Sequence, residues 1–140
     1  MNNDSKQTSW EDITCLIVDD DKFSRTFIKT ALSQIGIKHT FEAATSTEAA
    51  EILSTESIDL ILLDQQMPKK SGLEFAKELK SGSLGDTQNI PIIMVTVDTK
   101  EKTVVDAKEL GIYEYLVKPV SPLALKKRIQ CAFEITMEKE

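Results

Sequence analysis

The sequence predicts an α/β fold, a doubly wound parallel sheet of five strands alternating with five helices. Three observations carry that prediction. Continuous apolar runs at Ile13 to Val18, Ile58 to Leu63 and Ile92 to Val95 read as strands buried on both faces. Segments with apolar residues at helical spacing separate them. Buried strands alternating with helices imply right-handed crossovers that cover both sides of the sheet.

The elements follow in order. Ile13 to Val18 is the first strand and ends in Asp19, Asp20 and Asp21, with Asp21 suited to cap the helix behind it. Lys22 to Ile35 reads as a helix with Phe23, Phe27, Ala31, Leu32 and Ile35 on one face, stopped by Gly36. His39 to Ala43 is a more polar strand that suits a sheet edge. Ser46 is the expected cap of a short helix carrying Ala49, Ala50, Ile52 and Leu53. Ile58 to Leu63 is the third strand and ends at Asp64. Ser71 to Lys80 reads as a helix with Leu73, Ala76 and Leu79 inward, followed by a polar loop, Ser81 to Asn89. Pro91 opens the fourth strand, where a proline is tolerated. Asp98 and Glu101 resemble a capping box for a helix that runs to Leu110 and stops at Gly111. Tyr115 to Val117 is the last strand, and Ser121 with Pro122 opens a final helix carrying Leu125, Ile129, Ala132 and Phe133. The expected limits are a flexible tail over 1–12, one domain over 13–137 and a short tail over 138–140.

Composition narrows the function. The 140 residues suit one domain with a real core, and 41% hydrophobic with 29% charged residues is ordinary for a globular protein. A net charge of −6 disfavours nucleic acid and anionic membranes as partners. No apolar run approaches the roughly 20 residues of a membrane span, and the N-terminus lacks a signal-peptide core, so a cytoplasmic location is expected. Cys15 and Cys131 read as small core residues without a disulfide. His39, the sole histidine, reads as a solvated strand residue, and Lys126, Lys127 and Arg128 as a wet helix face.

In a parallel sheet, residues just past the strand ends gather on one edge. Those positions hold Asp19 and Asp20, Asp64, Thr96 and Lys118. Clustered carboxylates repel, and hard oxygen ligands suit Mg²⁺. A lysine point charge and a threonine hydroxyl can each reach a phosphoryl oxygen. A placed carboxylate nucleophile, a metal site and a cation are the parts that phosphoryl transfer needs.

The strings LIVDDD (Leu16 to Asp21), LILLDQQMPKKSG (Leu60 to Gly72), PIIMVT (Pro91 to Thr96) and YLVKP (Tyr115 to Pro119) resemble the receiver domain of two-component response regulators, over Ile13 to about Met137. The resemblance implies a flavodoxin-like (βα)5 sheet of strand order 2-1-3-4-5. It implies Asp64 as phosphoacceptor, loaded from a phosphohistidine on a histidine kinase or histidine phosphotransfer protein. Asp20 would ligate Mg²⁺ directly, Asp19 mainly through water, and the Gln66 backbone carbonyl would be a further ligand beside Asp64. Lys118 would bind the phosphoryl group, with a cis peptide before Pro119. Thr96 would move toward the phosphoryl oxygen and Tyr115 would swing inward. The face of helix 4, strand 5 and helix 5 would then change for a downstream protein partner, and the chain would be no enzyme beyond its own phosphorylation and autodephosphorylation.

Some positions depart from the usual pattern. Val97 stands where Ala or Gly is common and is expected to narrow access to the acyl phosphate. Val97→Ala should therefore speed autodephosphorylation, and an unchanged or slower rate would sink that expectation. Gln66 and Asp98 flank the path of hydrolytic water and should tune lifetime. Ile112 and Tyr113 replace the small and acidic residues of many DNA-binding regulators, which argues against their charged dimer interface. Three other readings stay open: a receiver module cut from a larger regulator or hybrid kinase, a Mg²⁺-dependent aspartyl-phosphate phosphohydrolase, and a flavin binder. The hydrolase wants a second acid two residues after its nucleophile, where this chain has Gln66. The flavin binder wants a hydroxyl- and glycine-rich loop where this chain has three aspartates.

Overall fold

The computed structural model describes residues 9–112 and 114–133. The tail positions 1–8, Tyr113 and the segment 134–140 lie outside the described residues. The elements are β1 (Thr14–Val18), α1 (Lys22–Ile35), β2 (His39–Ala43), α2 (Ser46–Thr55), β3 (Leu60–Leu63), α3 (Gly72–Ser81), β4 (Ile92–Thr96), α4 (Glu101–Glu109), β5 (Glu114–Val117) and α5 (Pro122–Phe133). All strand pairs are parallel, in the order β2-β1-β3-β4-β5. The order reverses between β1 and β3, which opens a crevice at their carboxyl ends.

Alternation along the strands divides the core in two. Cys15, Ile17, Leu60, Leu62, Ile93 and Val95 face α1 and α5, together with Ile28, Leu32, Leu125 and Ile129. Leu16, Val18, Ile61, Leu63, Ile92 and Met94 face α2, α3 and α4, together with Ala49, Phe75, Leu79 and Ala107. Burial on both faces is why the three central strands carry unbroken apolar runs.

Several expectations change. The N-terminal tail is shorter than 1–12, because Trp10–Asp12 form a 3-10 helix. Trp10 is buried in the α1/α5 core, and a Cβ at Gly36 would come within 3.1 Å of its Cβ. One large aromatic ring gives this segment enough apolar surface to dock it.

In α1, Phe23 is 84% and Phe27 53% exposed, and the buried stripe is Ile28, Ala31 and Leu32. The helix presents two overlapping apolar stripes, and packing against α5 and β1 selects the one without phenylalanine. Cys131 is exposed on α5, so only Cys15 is a core thiol. Thr45, not Ser46, caps α2, accepting from the Glu48 N–H. The capping box at α4 does not form: Lys100 is its N-cap, with no side-chain hydrogen bond. Asp98 bonds elsewhere, as shown below. The Ser71–Glu74 capping box at α3 is complete, and Ser121 accepts from Ala124 N–H at the head of α5.

Candidate functional site

Register brings the polar residues together. Val18 lies opposite Leu63, so Asp19 and Asp64 leave adjacent strands level with each other, while Lys118 leaves β5, on the far side of β4, two residues further along. The ladder extends past the strand ends, with Asp64 N–H on the Val18 carbonyl at 2.9 Å and Lys118 N–H on the Thr96 carbonyl at 2.9 Å. Side chains 99 residues apart in sequence meet there.

The Lys118 ammonium donates to Asp19 Oδ2 at 2.6 Å and to Asp64 Oδ2 at 2.9 Å. Asp19 and Asp64 are 1% and 5% exposed, while Asp20 is exposed. Burial alone would lower the Lys118 pKa, but the hydrogen bonds and charges of Asp19 and Asp64 outweigh it and raise it. Lys118 is therefore a fixed cation at neutral pH. The peptide bond between Lys118 and Pro119 is cis.

Carboxylate oxygens of Asp19, Asp20 and Asp64 lie within 4.8 Å of one another. Three negative charges against one ammonium leave the cluster doubly negative, a charge that a dication would cancel. An all-oxygen donor set on a buried-to-exposed gradient fits a hard cation.

The two acids are held by their own loops. Asp19 Oδ1 accepts from Asp21 N–H at 2.9 Å, Asp21 caps α1 through Phe23 N–H, and Arg25 donates to the Asp19 carbonyl at 2.7 Å. Asp64 Oδ1 accepts from Gln66 N–H at 3.2 Å. The loop behind Asp64 folds back onto α3, with Gly72 N–H on the Gln65 carbonyl at 3.0 Å and Leu73 N–H on Gln65 Oε1 at 2.8 Å. Lys69 takes a left-handed φ of 70° in that turn.

Gly72, at the end of the LILLDQQMPKKSG string, packs against the backbone of Asp64. A Cβ there would stand 2.2 Å from the Asp64 carbonyl oxygen. Only a glycine lets α3 start against the backbone that carries Asp64. Helical spacing marks a helix over Ser71 to Lys80, but the close approach of two backbones has no signal in the sequence.

The remaining sequence-predicted residues are distributed around the acids. Thr96 is fully buried at the end of β4, and its hydroxyl oxygen accepts from Asp98 N–H at 3.2 Å. Its own proton is then free for a further acceptor. Tyr115 is half-buried and donates its hydroxyl to the Asp98 carbonyl at 2.8 Å. Burial, then the Asp98 and Asp64 charges, push its pKa up to about 12, so it remains a donor at any physiological pH. Gln66 is exposed beside Asp64. Val97 is exposed and borders a cavity of about 570 Å³ shared with Phe23, Phe27, Lys118 and Pro119. At so open a position Val97→Ala should change stability by no more than ~0.5 kcal/mol. Asp98 departs from expectation, since its carboxylate is buried and committed to Lys100 N–H and Thr103.

A doubly wound sheet with three carboxylates and a doubly bonded lysine at its switch point defines a phosphoryl-handling α/β domain. The model of the response regulator receiver domain matches residues 15–130. The chain is 35% identical over 116 residues to chemotaxis protein CheY1 of Helicobacter pylori, covering 82% of this chain and 92% of that protein. It is 37% identical over 123 residues to the phosphate regulon transcriptional regulatory protein PhoB of Pseudomonas aeruginosa, covering 88% of this chain and 52% of that one.

Among solved structures, the chemotaxis protein CheY4 of Vibrio cholerae superposes with a TM-score of 0.75 at 30% identity, over 86% of this chain and 98% of its own. A chain of the CheX-CheY-BeF3-Mg complex of Borrelia burgdorferi superposes with a TM-score of 0.78 at 26% identity, over 86% and 89%. The chain belongs to the response regulator receiver family. It is a phosphoacceptor receiver of two-component signalling, and nothing in these likenesses supports the phosphohydrolase reading. No helix among the described residues is long and apolar enough to cross a membrane.

Proposed function

We propose that Asp64 accepts a phosphoryl group from a phosphohistidine on a histidine kinase or histidine phosphotransfer protein. An Asp64 carboxylate oxygen forms the new bond to phosphorus as the bond to the imidazole nitrogen breaks, and the imidazole leaves. The observation that carries this is the Lys118 ammonium bonded to both Asp64 and Asp19, beside an acidic trio within 4.8 Å. In this reading Asp19, Asp20, Asp64 and the Gln66 carbonyl hold Mg²⁺. When bound, that ion supplies neutralising charge to the acids and the incoming phosphoryl oxygens. Lys118 can leave Asp64 for a phosphoryl oxygen while keeping Asp19, so its charge needs no large movement.

The product is a dianion beside Thr96, and the Thr96 hydroxyl donates to it. Thr96 and Tyr115 then report its presence to the surface of α4, β5 and α5, which a downstream protein binds. The CheX-CheY complex of the Borrelia neighbour supports a protein rather than a nucleic acid as that partner. The chain catalyses only its own loading and loss of phosphate. Its unpaired Cys15 and Cys131 suit a reducing compartment, which favours the cytoplasm.

Acetyl phosphate with Mg²⁺ tests the reading without a kinase. Intact-mass measurement should find one phosphoryl group per chain, peptide mapping should place it on Asp64, and chelation of the metal should prevent it. A phosphoryl group on Asp19 or Asp20, or none, would refute the assignment.

A further inference from the structure

Every polar group of Asp19 is engaged, and its backbone is held from the side of β2 and α1. Its N–H donates to the Ala43 carbonyl at 3.0 Å, and its carbonyl accepts from Arg25 Nη1 at 2.7 Å. Its Oδ1 accepts from Asp21 N–H at 2.9 Å, and its Oδ2 accepts from the Lys118 ammonium at 2.6 Å. Arg25 is itself anchored, because its Nε donates to Glu42 Oε1 at 3.0 Å, on the residue before Ala43 in the edge strand β2. The Lys29 ammonium stands 3.8 Å from the other Glu42 oxygen. The Arg25 side chain is only 14% exposed, so its bonds are more than a solvated surface pair.

The carbonyl that Arg25 grips belongs to the peptide unit between Asp19 and Asp20. A peptide is planar, so fixing its carbonyl also fixes the N–H and Cα of Asp20. Asp19 and Asp64 are buried and tied through their side chains to Lys118, whereas Asp20 is exposed. The place of the Asp20 carboxylate beside the other two acids therefore follows from the backbone that carries it. A guanidinium presents donors in different directions on one rigid plane, which suits a bridge from a backbone carbonyl to a carboxylate. Its charge does not help the site, since a cation beside an acidic trio opposes a dication. Glu42 offsets that charge, and the geometry of the bridge remains as the contribution of Arg25.

We propose that Arg25, anchored by Glu42, is a positioning residue of the cation site: it holds the Asp19–Asp20 peptide so that the Asp20 carboxylate stands beside Asp19 and Asp64. This rests on the receiver reading and deepens it, by assigning a role at the Mg²⁺ site to a residue outside the acidic trio. Partners that orient a ligand from outside commonly change metal affinity by about tenfold or more.

A Mg²⁺ titration of the unphosphorylated chain, followed by the amide NMR shifts of Asp20 and Gln66, tests this without any phosphoryl chemistry. Geometry and charge predict opposite signs. Arg25→Gln should raise the Mg²⁺ midpoint about tenfold. Arg25→Lys, which keeps the charge and loses the planar fork, should raise it nearly as much. An effect of charge alone would lower the midpoint in Arg25→Gln and leave it native in Arg25→Lys, and that result overturns the proposal. A native midpoint in both variants also overturns it, even if their melting temperatures fall, since that is the mark of a purely structural contact.

A second pair of variants at the sheet edge serves if the Arg25 variants do not fold. Glu42→Ala should raise the midpoint about threefold above Glu42→Gln, which loses the same charge but keeps an acceptor for the Arg25 Nε. Equal midpoints in these two overturn the anchoring by Glu42 and the proposal with it. Acetyl phosphate separates this proposal from the reading beneath it. Failure to label Asp64 in the native chain sinks the receiver reading, and normal labelling with an Arg25→Gln midpoint at or below the native one sinks the positioning role alone.

Discussion

Asp64→Asn is expected to abolish phosphoryl acceptance while leaving the chain folded and at least as stable. The amide has no anionic oxygen to attack phosphorus, so no residual rate should survive. Stability runs the other way. The native cluster sets three carboxylates against one ammonium, and the substitution removes one of them. Lys118 keeps its shorter bond, at 2.6 Å to Asp19, and the amide oxygen can still accept from Gln66 N–H. Relief of like-charge repulsion against loss of one ion pair should leave a net gain between zero and ~1 kcal/mol. Intact mass after acetyl phosphate and Mg²⁺ checks the first part, and the urea midpoint checks the second. A loss of more than about 2 kcal/mol would identify Asp64 as a structural anchor, since breaking a buried pair has costs of that order. The separation of the two readouts is what marks a functional carboxylate.

Gly72→Ala should be the most damaging single methyl group that can be added near the site. Helix propensity alone predicts the opposite, because alanine is favoured over glycine by ~1 kcal/mol in a helix. The contact decides the sign. The new Cβ would stand 2.2 Å from the Asp64 carbonyl oxygen and 2.9 Å from the Asp64 carbonyl carbon and Gln65 Cα. All three are backbone atoms that cannot rotate away. The same segment is tied by Gly72 N–H to the Gln65 carbonyl and by the Ser71–Glu74 capping box. Relief therefore requires α3 to move off the loop that presents Asp64. A loss of about 3 kcal/mol is expected, at the upper end for overpacking, with slower loading of Asp64 in whatever protein remains folded. A urea midpoint equal to the native one would show that the loop yields cheaply and that the close approach does not require a glycine.

Much of this was legible from local chemistry. Strand ends were marked by the change from an apolar run to aspartate, threonine or lysine, and those residues proved to share one edge. Side-chain alternation and strand burial follow from period, which a sequence displays directly. What was misread depended on partners far away in the chain. Phe23 and Phe27 fit a helical stripe as well as Ile28, Ala31 and Leu32 do, and only the position of α5 and β1 excludes them. Trp10 looked like part of a polar tail until Gly36 supplied a backbone against which its side chain could lie. Asp98 carried a plausible local pairing with Glu101, and a buried threonine one turn further on took its carboxylate instead.

By itself the sequence determined the α/β class, the order of its ten elements and the acids, hydroxyl and lysine of the site, because periodicity and strand termination are local properties of the chain. Tertiary structure alone decided the rest. It brought Lys118 onto Asp19 across 99 residues, set Gly72 against the Asp64 backbone and made Asp98 the bridge between Thr96 and Tyr115. Those are contacts between elements, fixed by sheet register and helix docking. An apolar stripe states that a face will be covered, and only packing determines what covers it.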